Sequence, residues 1–209
     1  MIRELLFCIN LMIFFLLGGD IAAQTIEKLY YDNGELKAEG VIENGIKEGT
    51  WKYYFPSGQV SSEEEYANDV LNGEVTYYDA SGNITAREHW QDGLQEDSSF
   101  YYYPNGMMQK KGIFKDGLYE GQWIFFYEDG QLKRLGFYVL GLPQDHWYFY
   151  NEQGVLVQEG PFNQGKEEGL WKFYRDDGSL EFYGKYRDGE QVGEWVQVSK
   201  KGKEKPYKY

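Results

Sequence analysis

The sequence predicts an all-β fold, an elongated single-sheet solenoid of tandem antiparallel β-hairpins with a 24-residue repeat. Composition is the first reason. Aromatic residues make up 19% of the chain and glycines number 26, a mix that suits pleated strands and tight turns better than helices. The second is a glycine that recurs every 24 residues without insertion, at Gly34, Gly58, Gly82, Gly106, Gly130, Gly154, Gly178 and Gly202. Two further columns keep the same step. One runs from Gly45 to Gly189 with Asp69 as its exception, the other from Gly49 to Gly193 with Asp97 and Asp145.

Ahead of the repeats, residues 1–23 read as a secretory signal peptide. Arg3 precedes an apolar run over positions 5–17, broken only by Asn10, and Ala22 and Ala23 put small residues at the cut. That run has 13 residues, short of the roughly 20 that a spanning helix needs. Cleavage is expected after Ala23, leaving residues 24–209 as the repeat domain, exported to the periplasm, the cell surface or the extracellular space. Cys8, the one cysteine, lies inside the segment, so the exported chain is expected to carry no disulfide.

Each unit then reads as strand, tight turn, strand, wider turn. The strand after the third glycine column carries Trp51, Val75, Ser99, Trp123, Trp147, Trp171 and Trp195. Two residues on come Tyr53, Tyr77, Tyr101, Phe125, Phe149 and Phe173, and next to them Tyr54, Tyr78, Tyr102, Phe126, Tyr150 and Tyr174. Alternation along a strand sets Trp51 and Tyr53 on one face and Tyr54 on the other. Trp51, Trp123, Phe125, Trp147, Phe149, Trp171, Phe173 and Trp195 are thus the expected core, stacked from repeat to repeat. Segments such as Phe55-Pro56-Ser57-Gly58 fit a type I turn closed by a glycine at positive φ. The second turn reads as wider, as in Lys115-Asp116-Gly117-Leu118-Tyr119-Glu120. About seven units are expected, with residues 195–209 as a cap, because Gln197 and Val198 replace aromatics there and lysine dominates.

The unit G-x-W-x-F-Y-x-x-x-G-x-L-x-x-x-G-x-Y-x-x-G, nearly whole at 121–141 and 169–189, resembles the MORN repeat and more closely its bacterial variant. The resemblance implies a curved array of β-hairpins that serves binding or scaffolding. Some bacterial variant members carry an antitoxin-like label, which sits poorly with an export signal. Two units depart from the pattern. Glu64 and Glu88 stand in the column of Gly40, Gly112, Gly136, Gly160 and Gly184, and tryptophan is lost at Val75 and Ser99. Sequence drift with looser packing is the plainer explanation, and reshaping for a partner is the other.

The net charge of −13 disfavours nucleic acid and anionic membranes as partners. His89 and His146 lie in different columns with no nucleophile or metal-spaced partner, and no phosphate loop, dinucleotide fingerprint or HExxH sequence occurs. No catalytic site, metal or cofactor is expected. The acidic residues before turn glycines, such as Asp116, Asp129, Asp177 and Asp188, read as solvated turn formers. Asn83-Ile84-Thr85 is a glycosylation sequon that matters only in a eukaryotic secretory route.

What remains is a binding surface. Tyr54, Tyr78, Tyr102, Tyr150 and Tyr174, with their hydroxyls wet, form the candidate partner-binding face. The reading is an exported, non-catalytic scaffold for another protein of the envelope or extracellular space. The alternative is a module for cell-surface or cell-wall glycan, since sugars stack on aromatic rings. An antitoxin-like protein or an enzyme stands behind both.

Overall fold

The computed structural model describes residues 24–207, so the proposed signal peptide lies outside the described residues. The first half of the chain forms β1 (Gln24–Tyr30), β2 (Leu36–Glu43), β3 (Ile46–Tyr54), β4 (Val60–Ala67), β5 (Val70–Tyr78), β6 (Ile84–Gln91), β7 (Leu94–Gln95), β8 (Asp97–Tyr102) and β9 (Met108–Lys115). The second half forms β10 (Leu118–Phe126), β11 (Leu132–Val139), β12 (Leu142–Tyr150), β13 (Leu156–Asn163), β14 (Lys166–Glu167), β15 (Gly169–Tyr174), β16 (Leu180–Arg187), β17 (Glu190–Val198) and β18 (Glu204–Tyr207). Each strand pairs antiparallel with its neighbours in sequence, so the sheet is one open meander. Both β7 and β8 pair with β6, and both β14 and β15 pair with β13, so each couple is a single interrupted strand. Sixteen strand positions result, and at about 4.8 Å each they span roughly 70 Å.

The first turn of each unit is the expected one. Phe55 N–H bonds the Gln59 carbonyl at 2.8 Å, Gly58 N–H bonds the Phe55 carbonyl at 2.8 Å, and Gly58 sits at φ 88°. This is a three-residue loop, a type I turn closed by a left-handed glycine. The second turn is narrower than the sequence suggests. Lys115 pairs directly with Leu118, so only Asp116 and Gly117 form the loop, at φ 51° and 75°. Positive φ at both central residues marks the two-residue primed hairpin whose twist matches the strands. The glycine four residues later is not in a turn at all. Gly121, at φ 63°, lies inside β10, where the pairing with β9 slips between Glu120 and Ile124. A β-bulge takes up the extra residues there.

That bulge lets the tryptophan lie flat on its neighbour strand. A Cβ placed on Gly40, Gly112, Gly136, Gly160 or Gly184 would come within 2.1–2.3 Å of the indole of Trp51, Trp123, Trp147, Trp171 or Trp195, respectively. Each ring covers the bare backbone eleven residues before it. Four of the indole N–H groups then donate to the carbonyl ten residues before, on Val41, Ile113, Phe137 and Pro161, at 3.0–3.2 Å. The residue nine before supplies a second ring edge-on, as with Phe114, Tyr138, Phe162 and Tyr186, at centroid distances of 5.0–5.1 Å. All five of these tryptophans are buried, and Phe125 with them, while Phe149 and Phe173 are half-buried at the rim.

The same geometry explains the irregular units. Glu64 and Glu88 stand eleven residues before Val75 and Ser99, where the covered glycine and its tryptophan would be. Any Cβ at those positions excludes a flat indole, so glutamate and tryptophan are alternatives. Each carboxylate is held on the aromatic face. Glu64 accepts from Ser62 and Tyr66 at 2.7 Å each, and Glu88 from Tyr101 at 2.8 Å and the Trp90 indole at 3.0 Å. These units therefore replace an apolar lock by a polar one.

At the C-terminal end β18 adds one more strand. Its pairing with β17 lacks the one-residue register shift that accompanies the tight turn in the earlier units, so Tyr207 falls opposite Trp195 and its ring lies 4.8 Å from Phe182.

Two variants test the indole contact by urea denaturation. Gly136→Ala is expected to lower stability by about 1–3 kcal/mol through overpacking. Gly136→Glu combined with Trp147→Val recreates the Glu64 and Val75 arrangement. The double variant should be more stable than the sum of the two single losses predicts, and strict additivity would show that the exchange is not compensatory.

Candidate functional site

The sheet has two chemically distinct faces. One carries the tryptophans, the other the five tyrosines singled out from the sequence. Tyr54, Tyr78, Tyr102, Tyr150 and Tyr174 are all half-buried. Their hydroxyls are not uniformly wet. Tyr54 donates to Glu39 at 2.6 Å, Tyr78 to Glu63 at 3.3 Å and Tyr174 to Glu159 at 2.6 Å. Each acceptor lies fifteen residues before its tyrosine. The corresponding positions for Tyr102 and Tyr150 are Arg87 and Leu135, neither of which can accept a hydrogen bond through its side chain.

Lysines complete the carboxylate positions. Lys28 reaches Glu39 at 3.1 Å, Lys52 reaches Glu63 at 2.8 Å and Lys172 reaches Glu159 at 3.1 Å. His146 adds a contact of 3.2 Å to Glu159. These pairs lie at the surface, where water screens them, so they order the face more than they stabilise the fold. Hydrogen bonding from Tyr54 and then Lys28 lowers the Glu39 pKa, and Lys52 lowers that of Glu63. Burial pushes Glu159 up, but the bonds from Tyr174, Lys172 and His146 together carry it down. The Tyr54 hydroxyl is pushed up to about 12, chiefly by its bond to Glu39.

Between the lysine–glutamate pairs the tyrosine face changes character. A depression of about 400 Å³ opens at β5, β6 and β8, lined by Glu74, Thr76, Arg87, His89, Ser98, Phe100, Tyr102 and Met108. It falls in the units that depart from the repeat pattern. Beyond it the face exposes large apolar side chains, with Ile113 and Phe137 each more than two-fifths exposed. His89 thus lines an open depression and His146 belongs to the Glu159 cluster; the two are not brought together. Among the described residues no group of three or more His, Cys, Asp or Glu side chains is arranged to hold a metal ion.

Four glutamates that the sequence reading did not single out also have partners. The carboxylates of Glu48, Glu96, Glu120 and Glu168 accept the turn N–H groups of Asn68, Asp116, Leu140 and Asp188 in the next unit, at 2.8–3.0 Å. They tie one hairpin to the next along the edge. Their spacing in multiples of 24 residues is present in the sequence and is the signal that could have found them.

The repeat variant of the MORN family matches this chain at residues 24–44, 47–68, 71–92, 98–116 and 119–139, about half of its length. The hairpins of residues 140–207 continue the same geometry past the last matched segment. No curated protein matches the chain. Among solved structures, a GtfA/B complex bound to UDP and GlcNAc aligns over 55% of this chain and 22% of its own, at 12% identity and a TM-score of 0.25. A TcdB2-TccC3-Cdc42 complex aligns over 85% of this chain and 13% of its own, at 12% identity and a TM-score of 0.19. A porin-like protein from Bacteroides uniformis ATCC 8492 aligns over 88% and 93%, at 10% identity and a TM-score of 0.21. The chain thus spans about a fifth or less of the first two. None of these likenesses is close enough to carry a fold or a function across.

The tyrosine bonds have a measurable signature. The folded chain holds the Tyr54 proton more tightly than the unfolded chain, whose tyrosines ionise near 10.0. Its contribution to stability is therefore complete below pH 10 and is lost as pH rises through about 12. Ultraviolet absorbance titration should show late-ionising tyrosines, and Glu39→Gln should move one of them back toward the ordinary range.

Proposed function

The chain belongs to the MORN repeat variant family, and on that premise we propose that it is an exported, non-catalytic scaffold that binds another protein of the cell envelope or extracellular space. MORN repeats are in general repeats for protein and membrane interaction, and the family is a non-catalytic one. The observation that carries the reading is the tyrosine face. It is a long open surface on which Tyr102 and Tyr150 have no carboxylate at the position that engages Tyr54, Tyr78 and Tyr174. Tyr102 lines the depression at β5, β6 and β8, beside the exposed apolar side chains of Ile113 and Phe137. Rigid aromatic anchors, partly pre-positioned by the sheet, are what protein contacts favour. The net charge of −13 turns the choice between protein and anionic bilayer toward protein.

A saccharide is the second reading. It is favoured by Phe100 and Tyr102 lining the same open depression as Glu74, Arg87 and His89, which together offer rings to stack on and polar groups to bond hydroxyls. Export rests on the reading of residues 1–23 as a signal peptide.

Affinity capture with tagged residues 24–209 from an envelope extract tests both. A single protein retained by the native chain should be lost when Tyr54, Tyr102 and Tyr150 are changed together to Ser while the melting curve keeps its cooperativity. Retention unchanged by that triple variant would remove the tyrosine face from the account. Retained polysaccharide with no protein would favour the second reading.

A further inference from the structure

On the tyrosine face one line of directly opposed residues runs from strand to strand along the sheet. It begins with Lys28, Glu39, Lys52 and Glu63, each facing the next. Every cation there has a carboxylate neighbour, and Lys28 and Lys52 form their ion pairs with these neighbours. Toward the C-terminal end of the same line Glu159 faces Lys172, again as an ion pair. Opposite charges facing each other across two strands stabilise the pairing.

Between these ends the matching stops. Glu63 is followed by Thr76, Arg87, Phe100 and Lys111, and then by Ile124 and Leu135. Arg87 therefore faces only Thr76 and Phe100, and Lys111 only Phe100 and Ile124. Among the described residues neither cation forms an ion pair. Glu74 lines the same depression as Arg87 without pairing with it, and Glu88 turns to the opposite face, toward Tyr101 and Trp90. In a chain of net charge −13, two cations are thus left without a counter-charge.

The shape of the surface around them is a second observation. The depression of about 400 Å³ that holds Arg87 shares Ser98 and Phe100 with a further one of about 260 Å³, lined also by Lys111, Ile113 and Ile124. Phe100 thus stands between two hollows, each with one cation on its wall. Two strand steps of about 4.8 Å put the backbones of the cations roughly 10 Å apart. A guanidinium binds a carboxylate through two parallel N–H groups, and arginine with aromatic rings is enriched where proteins meet. Past Lys111 the line turns apolar at Ile124 and Leu135, both half-buried. A polyuronate, charged at every sugar, would press its next carboxylates against those side chains at a cost in desolvation. A peptide can change from acidic to apolar within a few residues.

We propose that Arg87 and Lys111 receive two carboxylates of an acidic segment of the partner protein, one on each side of Phe100, with an apolar side chain of that segment on Ile124 and Leu135. The ligand supplies here the counter-charge that Glu39, Glu63 and Glu159 supply elsewhere along the line. The acid excess of the remaining surface repels longer polyanions, so the site selects a short acidic stretch followed by apolar residues. This rests on the interaction-protein reading and gives the partner a chemistry.

The test titrates residues 24–209 with the blocked peptide acetyl-Glu-Ser-Glu-Ser-Leu-amide by calorimetry, following the Phe100 ring signals by NMR. Arg87→Gln with Lys111→Gln should weaken binding by roughly ten-fold and abolish the shift of those signals. Lys201→Gln with Lys203→Gln, the same change in charge elsewhere, should cost less than about two-fold. Arg87→Lys with Lys111→Arg keeps both charges and should stay within about two-fold of the native chain, with a melting curve verifying the fold of each variant. The peptide with Gln in place of Glu should not bind. Equal losses in the two charge-removing variants would reduce the effect to bulk charge and overturn the site, as would absent binding to the native chain. Trigalacturonate bound as tightly as the peptide would also overturn it, in favour of an acidic saccharide. The titration needs no captured protein, so it reads the site whether or not the scaffold reading survives. A captured protein lost with the tyrosine variant but kept by Arg87→Gln with Lys111→Gln would overturn the site and leave the scaffold in place.

Discussion

Everything in this sheet depends on a ring lying on a glycine. Where Trp123 covers Gly112, or Trp147 covers Gly136, a strand that has no second layer above it acquires a dry, close-packed surface. The contact fixes several other things at once. It demands a bulge at the left-handed position two residues before the ring, since without it the indole would not reach the neighbour strand. It also directs the indole N–H to the carbonyl beside that glycine and leaves room for the edge-on ring of Phe114 or Tyr138. Few proteins can build a core from one sheet alone; repetition permits it because each unit's ring is packed by the next.

Because the tryptophan face carries the packing, the other face is free to vary. Its lysine–glutamate pairs, the depression at Tyr102 and the exposed apolar side chains around Phe137 follow one another along the sheet without disturbing the hairpins. The two glutamates on the packed face are the exception. They bring charge into the locked surface, and the cost is limited by four hydrogen bonds from Ser62, Tyr66, Trp90 and Tyr101.

The strand order and the faces were legible in the sequence because each rests on a residue type that the geometry nearly compels. Gly58 must reach positive φ, and Trp51 needs a bare neighbour. Turn width was not legible. A glycine in a primed turn, such as Gly117, and one in a bulge, such as Gly121, have the same composition and differ only in pairing. Glu64 with Val75 and Glu88 with Ser99 were visible as four separate departures. That each pair is one exchange follows only once residues eleven apart are known to touch. The same holds for the tyrosine hydroxyls, whose acceptors lie fifteen residues before them across a bulged register.

The serial pairing of the strands has a mechanical side. No strand of the described chain bonds to one distant in sequence, so nothing clasps the first hairpin to the last. Tension applied between the two ends would meet two short rows of hydrogen bonds at a time and not the whole sheet. The molecule would lengthen in steps of one hairpin, each peeling from its neighbour like a strip of tape, and on release would close again from whatever length remained folded. A protein built this way can yield under load without losing its structure all at once.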